Sequence, residues 1–202
     1  MSIVPPGAAA GMRGGLAPIA RRLHAMGVSA NAVTVAGLLL TVAGAALLAV
    51  GHPLRALLVL VVGTLADTLD GQIAKAADGG TKLGAFLDST FDRLSDSALT
   101  GAAVIYGAYN NDALLFWAGL IALVSGSFIP YIRAKAESLG ISASVGLAPR
   151  EARLLLLVLG VAGWAATANS QLFAAALAVV AFLSTVTTAQ RIAHVANALR
   201  NT

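Results

Sequence analysis

The sequence has no cysteine, which excludes disulfides and thiolate metal sites at once. It is also poor in charge: Asp, Glu, Lys and Arg together make up 11% of its 202 residues, against roughly 25% in soluble domains. Histidine offers little more, because His24, His52 and His194 stand far apart and form no recognisable ligand set. The N-terminus lacks a charged region followed at once by an apolar core, so no cleavable signal is expected. What fills the chain instead is small and aliphatic. Hydrophobic residues reach 58% and mean hydropathy is +0.83, the composition of a membrane protein. The remaining charge is basic, net +4 with a pI near 10.0. In a helical membrane protein that bias marks cytoplasmic loops and contact with anionic lipid, not nucleic acid.

Read in order, the chain predicts an all-α integral membrane protein with six transmembrane helices and an N-terminal interfacial amphipathic helix. Residues 1–28 form a cytoplasmic lead and juxtamembrane helix, and 29–202 one membrane domain. Residues 1–10 read as a disordered lead. Over 12–27, Leu16, Ile19, Leu23 and Met26 alternate with Arg13, Arg21 and Arg22, the pattern of a helix lying at the headgroups. Spans are expected at about 30–50, 54–77, 83–107, 113–136, 151–168 and 171–196, each near the roughly 20 residues needed to cross. Ser29 or Asn31 is placed to cap the first. If the six alternate, nearly all cations fall on one side and Arg55 on the other. Both termini and the ends bearing Lys75, Lys82, Arg133 and Arg150 then face the cytoplasm of the cell membrane. Small residues dominate spans one, five and six, which favours close helix packing and a homodimer.

The chemistry lies between Asp67 and Asp92. Asp67 and Asp70 are three residues apart on one span, and Asp88 and Asp92 four apart on the next, so each pair shares a helix face. Four carboxylates aimed at one point repel one another in a low dielectric, and charge inside a span is costly and usually functional. Hard divalent cations with oxygen ligands resolve the conflict, as in sites where two metals share bridging carboxylates. Gly71 and Gly84 sit on the same faces and leave room for a ligand to approach the backbone. Asp78, beside Gly79 and Gly80, reads as an ordinary loop charge.

The run Asp67-x-x-Asp70-Gly71-x-x-Ala74-Lys75, eight residues, then Gly84-x-x-x-Asp88-x-x-x-Asp92 resembles the signature of the CDP-alcohol phosphotransferases. The one departure is Lys75, where that family carries Arg. The resemblance covers about Ser29 to Arg191 and implies transfer of a phosphatidyl or similar group from a CDP-linked donor to an alcohol, releasing CMP. It assigns Asp67, Asp70, Asp88 and Asp92 to the metal, Mg²⁺ or Mn²⁺ and two ions, with Asp92 also the general base. Asn31, Thr34, Gly71, Lys75, Thr81 and Gly84 fall to the CDP-diacylglycerol site. Lys in place of Arg supplies charge but no bidentate fork.

Cations at the ends of the last three spans speak to the acceptor. Lys135, Arg153 and Arg191 suit a phosphorylated alcohol better than a neutral one. Together with Gly80-Thr-Lys-Leu-Gly84 and Asp92-Arg-Leu-Ser-Asp96, they resemble the actinobacterial phosphatidylinositol phosphate synthases, which implies inositol phosphate as the acceptor. Phosphatidylglycerophosphate synthase, whose acceptor is also anionic, is the nearest alternative within the family. Another CDP-alcohol phosphotransferase, with a different acceptor, a soluble CDP-inositol donor or an archaeal ether lipid, is a further one. An ion transporter is the alternative outside it, and no internal repeat supports that.

Overall fold

The computed structural model describes residues 17–77, 79–147 and 149–200. All regular structure among them is helical: α1 (17–25), α2 (Ala30–Ala49), α3 (Pro53–Ala76), α4 (Lys82–Tyr109), α5 (Ala113–Ser138), α6 (Arg150–Thr167) and α7 (Gln171–Arg200). The expected helix over 12–27 is present over 17–25, and its first residues, with the lead and Asp78, lie outside the described residues.

Local chemistry explains the breaks. α1 ends where Gly27 takes φ +81° and the Gly27 and Val28 N–H groups fold back onto the His24 and Leu23 carbonyls at 2.9 and 3.0 Å, a left-handed C-cap. Ser29, not Asn31, caps α2: its Oγ accepts from the Ala32 N–H at 3.2 Å. Thr81 caps α4 in the same way, through the Gly84 N–H at 2.9 Å. Pro53 occupies the first position of α3, where its missing N–H costs nothing. Asp112 caps α5 through the Leu115 N–H at 3.0 Å.

α2, α3, α5 and α7 are each long and apolar enough to cross a membrane. α4 carries Lys82, Asp88, Asp92, Arg93 and Asp96, and α6 carries Arg150, Glu151 and Arg153; neither reaches that apolarity over its length. Leu39, Leu58, Val62, Val124, Phe128 and Phe182 stand exposed on the four apolar helices. Apolar surface on that scale suits lipid and not water. The chain is a multi-helix membrane protein.

Two compact units divide the chain: residues up to Leu47 with Arg55–Leu99, and Leu48–Leu54 with Thr100 onward. In the first, small residues let α2 and α3 touch backbone to backbone. A Cβ built on Gly63 would lie 3.4 Å from the Gly37 carbonyl, and one on Gly44 would lie 2.8 Å from Leu60 Cδ2. In the second, α7 packs on α5 and α6 around Leu115, Val161, Phe173 and Leu177. Trp164 belongs to that core: its ring stacks on Phe173 at 6.1 Å and meets Tyr106 at 4.6 Å.

Candidate metal centre and nucleotide cavity

Because α3 runs unbroken through Asp67 and Asp70, and α4 through Asp88 and Asp92, the aspartate spacings become helix faces as expected. Asp67, Asp88 and Asp92 each offer a carboxylate oxygen, all within 4.8 Å of one another. Asp67 and Asp88 are exposed and Asp92 half-buried. Asp70 differs. It is only 7% exposed, and its Oδ2 has no hydrogen-bond partner among the described residues. A buried carboxylate oxygen without a donor is expensive. A cation would satisfy it, and the set of oxygens, with no sulfur and no imidazole, is the kind that Mg²⁺ or Mn²⁺ takes. The donors therefore fit the metal that the sequence implied.

Beside them, within the same unit, lies a cavity of about 610 Å³. Asp88 belongs both to the acidic group and to the cavity wall, and Asp70 lines it too. Of the six residues expected at the nucleotide, Asn31, Thr34, Gly71, Thr81 and Gly84 line this cavity, while Lys75 is exposed and not part of its lining. The two motif glycines serve different ends. A Cβ on Gly71 would meet nothing within 4 Å, so the face there is open as expected. A Cβ on Gly84 would sit 3.2 Å from Thr81 Oγ1 and 3.3 Å from Asn31 Oδ1, so Gly84 lets α4 close on α2.

The three cations expected at the acceptor all lie in the second unit. Lys135 is exposed, and Arg153 is 8% exposed. Arg191 donates from Nε to the Val145 carbonyl at 2.9 Å and from Nη1 to the Ile129 carbonyl at 2.8 Å, with Arg133 and Arg153 as charged neighbours. Arg133 itself pairs with Glu137 at 2.8 Å. His194 contacts the Ser142 carbonyl at 3.0 Å, so α7 holds the α5–α6 connection at two points. Nothing in the local sequence around Arg191 signals those carbonyl partners. Sequence reasoning also passed over His24, which lines the cavity from the end of α1.

The chain as a whole resembles known proteins. The family model for CDP-alcohol phosphatidyltransferases matches residues 27–192. The chain is 36% identical over 145 residues to a phosphatidylinositol phosphate synthase of Mycobacterium marinum, covering 71% of this chain and 62% of the relative. It is 35% identical over 179 residues to an archaetidylinositol phosphate synthase of Methanothermobacter thermautotrophicus, covering 88% of this chain and 87% of the relative. The Mycobacterium tuberculosis phosphatidylinositol phosphate synthase, solved in complex with manganese and citrate, matches with a TM-score of 0.83 at 32% identity, over 89% of this chain and 88% of that one. The same enzyme with CDP-DAG bound also gives 0.83, at 33% identity over 89% and 92%. Motif, helix pair and matched length agree: the chain is an enzyme of phospholipid biosynthesis and belongs to the CDP-alcohol phosphatidyltransferase family.

Proposed function

We propose that this chain transfers the phosphatidyl group of CDP-diacylglycerol to a hydroxyl of inositol phosphate, giving phosphatidylinositol phosphate and CMP. The observation that carries the reading is Asp88, shared between the acidic group and a cavity that Asn31 and Thr34 also line. Relatives named for inositol phosphate products support the acceptor. Two Mg²⁺ or Mn²⁺ ions held by Asp67, Asp70, Asp88 and Asp92 would supply Lewis-acid stabilisation of diphosphate charge.

The chain's own residues do the rest. Asp92 takes the proton of the acceptor hydroxyl as its oxygen bonds to the phosphatidyl phosphorus. The phosphoanhydride bond breaks, and CMP leaves with the electron pair. Asn31, Thr34, Gly71, Thr81 and Gly84 cradle the nucleotide, and Lys75 adds positive charge for the donor's phosphates. Lys135, Arg153 and Arg191 hold the acceptor's phosphate. Arg191 has five N–H donors, and the two spent on backbone carbonyls orient the rest.

In this reading α2 to α7 all cross the cell membrane and α1 lies in the interface. The site opens to the cytoplasm, where CDP-linked and phosphorylated substrates are found, and the enzyme works as a homodimer. Cations at the ends of α3, α5 and α7, such as Lys75, Lys135 and Arg200, support the orientation. The test is CMP release with CDP-diacylglycerol and a panel of acceptors. Inositol phosphate should turn over well and free inositol poorly. Efficient use of glycerol phosphate with none of inositol phosphate would replace the acceptor and leave the enzyme class intact.

A further inference from the structure

The polar side chains lining the cavity are not equally available to a ligand. Thr34 Oγ1 donates to the Ala30 carbonyl at 3.0 Å, Thr81 Oγ1 accepts from the Gly84 N–H at 2.9 Å, and Ser29 Oγ accepts from the Ala32 N–H at 3.2 Å. Asp70 and Asp88 belong to the acidic centre. That leaves Asn31 and His24, neither of which makes a side-chain hydrogen bond among the described residues. Among the described residues His24 is also the only ring in the lining. It sits in the last turn of α1, held there by the left-handed cap at Gly27. Around it the wall is bare: a Cβ on Gly27, Gly79 or Gly80 would meet nothing within 4 Å. A flat group can lie against such a wall, with a ring beside it.

We propose that the imidazole of His24 is the platform on which the donor's pyrimidine base stacks, which makes α1 the base-holding element of the site. The inference rests on the reading that this cavity takes the donor's nucleotide. The diphosphate goes with Asp70 and Asp88, and the base is the part of the nucleotide farthest from it. His24 comes from a different helix than those carboxylates and brings the one aromatic face in the lining among the described residues. Asn31 carries both a donor and an acceptor on one amide, which suits the hydrogen-bonding edge of cytosine while the ring holds its face.

The experiment is calorimetric titration of the full-length protein in detergent with Mg²⁺, using CMP and ribose 5-phosphate as probes. Stacking on an aromatic side chain corresponds to a loss of about ten-fold or more on removal, so His24→Ala should weaken CMP by that factor. His24→Phe keeps a ring face and should stay within about three-fold of the wild type. Ribose 5-phosphate has no base, so its binding should be the same in all three proteins. Equal CMP affinity in His24→Ala and wild type overturns the proposal, as does a His24→Phe protein as weak as His24→Ala. Asn31→Ala separates the two levels of the argument. If it weakens CMP while His24→Ala does not, the cavity reading stands and the stacking platform falls. If neither variant weakens CMP, both fall together.

Discussion

In the unit made by α1, α2, α3 and the first part of α4, Asp70 Oδ2 is buried without a partner, Asn31 and His24 line a cavity with their side chains unengaged among the described residues, and Gly71 faces open space. In the unit made by the rest of α4 with α5, α6 and α7, polar groups mostly satisfy one another. Asp112 caps α5 and accepts from Gln171 Nε2 at 2.7 Å, Arg133 pairs with Glu137, Thr188 donates to the Ser125 carbonyl at 3.0 Å, and Arg191 is tied to two carbonyls. Two buried atoms there, Ser184 Oγ and Arg150 Nε, have no hydrogen bond among the described residues, although Arg150 interacts elsewhere; an orphan hydroxyl costs far less than an orphan carboxylate. The contrast separates two uses of polarity in an apolar chain. Polar groups that meet partners within their own unit hold helices together, and an orphan carboxylate oxygen on the wall of a cavity marks where a ligand goes.

The largest expected effect comes from withdrawing the metal that the first unit's carboxylates call for. EDTA should abolish CMP release, and Mg²⁺ or Mn²⁺ should restore it; undiminished turnover in EDTA would show that the carboxylates are satisfied in some other way. Next in size is Asp92→Asn. Losing a general base costs roughly 10²–10⁴-fold in rate, while CMP binding should survive because the cavity wall is intact. Asp67→Asn or Asp88→Asn should lower metal affinity as well as rate, measured by Mn²⁺ titration. Near-normal turnover in Asp92→Asn would place the base elsewhere.

The second unit should respond in two ways. A charge-assisted hydrogen bond to phosphate is worth roughly 1.5–3 kcal/mol, so Arg153→Gln should raise the KM for inositol phosphate about ten- to a hundred-fold. Its KM for CDP-diacylglycerol should hardly move. Arg191→Gln also breaks two bonds to backbone carbonyls, so it should add a lower unfolding midpoint to the same KM change. An unchanged midpoint in Arg191→Gln would show that the two carbonyl contacts add little to the hold of α7 on the α5–α6 connection. The smallest effect belongs to a purely structural pair: Asp112→Ala removes the cap of α5 and the Gln171 contact, which should cost about 0.5–2 kcal/mol of stability. Thermal unfolding in detergent would register it, with kcat unchanged.

Much of this molecule follows from short-range rules that the sequence carries by itself. Helix ends depend on Ser29, Thr81, Pro53 and Gly27, and faces depend on spacings of three and four, so the two aspartate pairs on neighbouring helices were legible from residue order alone. The lack of charge and the long apolar runs fixed the membrane class for the same reason, since transfer from water depends on composition. Tertiary structure decided what those rules leave open. It buried Asp70 while gathering Asp67, Asp88 and Asp92 into one group, closed Gly84 against Asn31, and brought His24 to the cavity wall. It also gave Arg191 its carbonyl partners, which lie 46 and 62 residues away along the chain. A residue's type and spacing say which bonds it is able to make, but whether those bonds are already taken depends on groups distant in sequence, and only the packed chain brings them within reach.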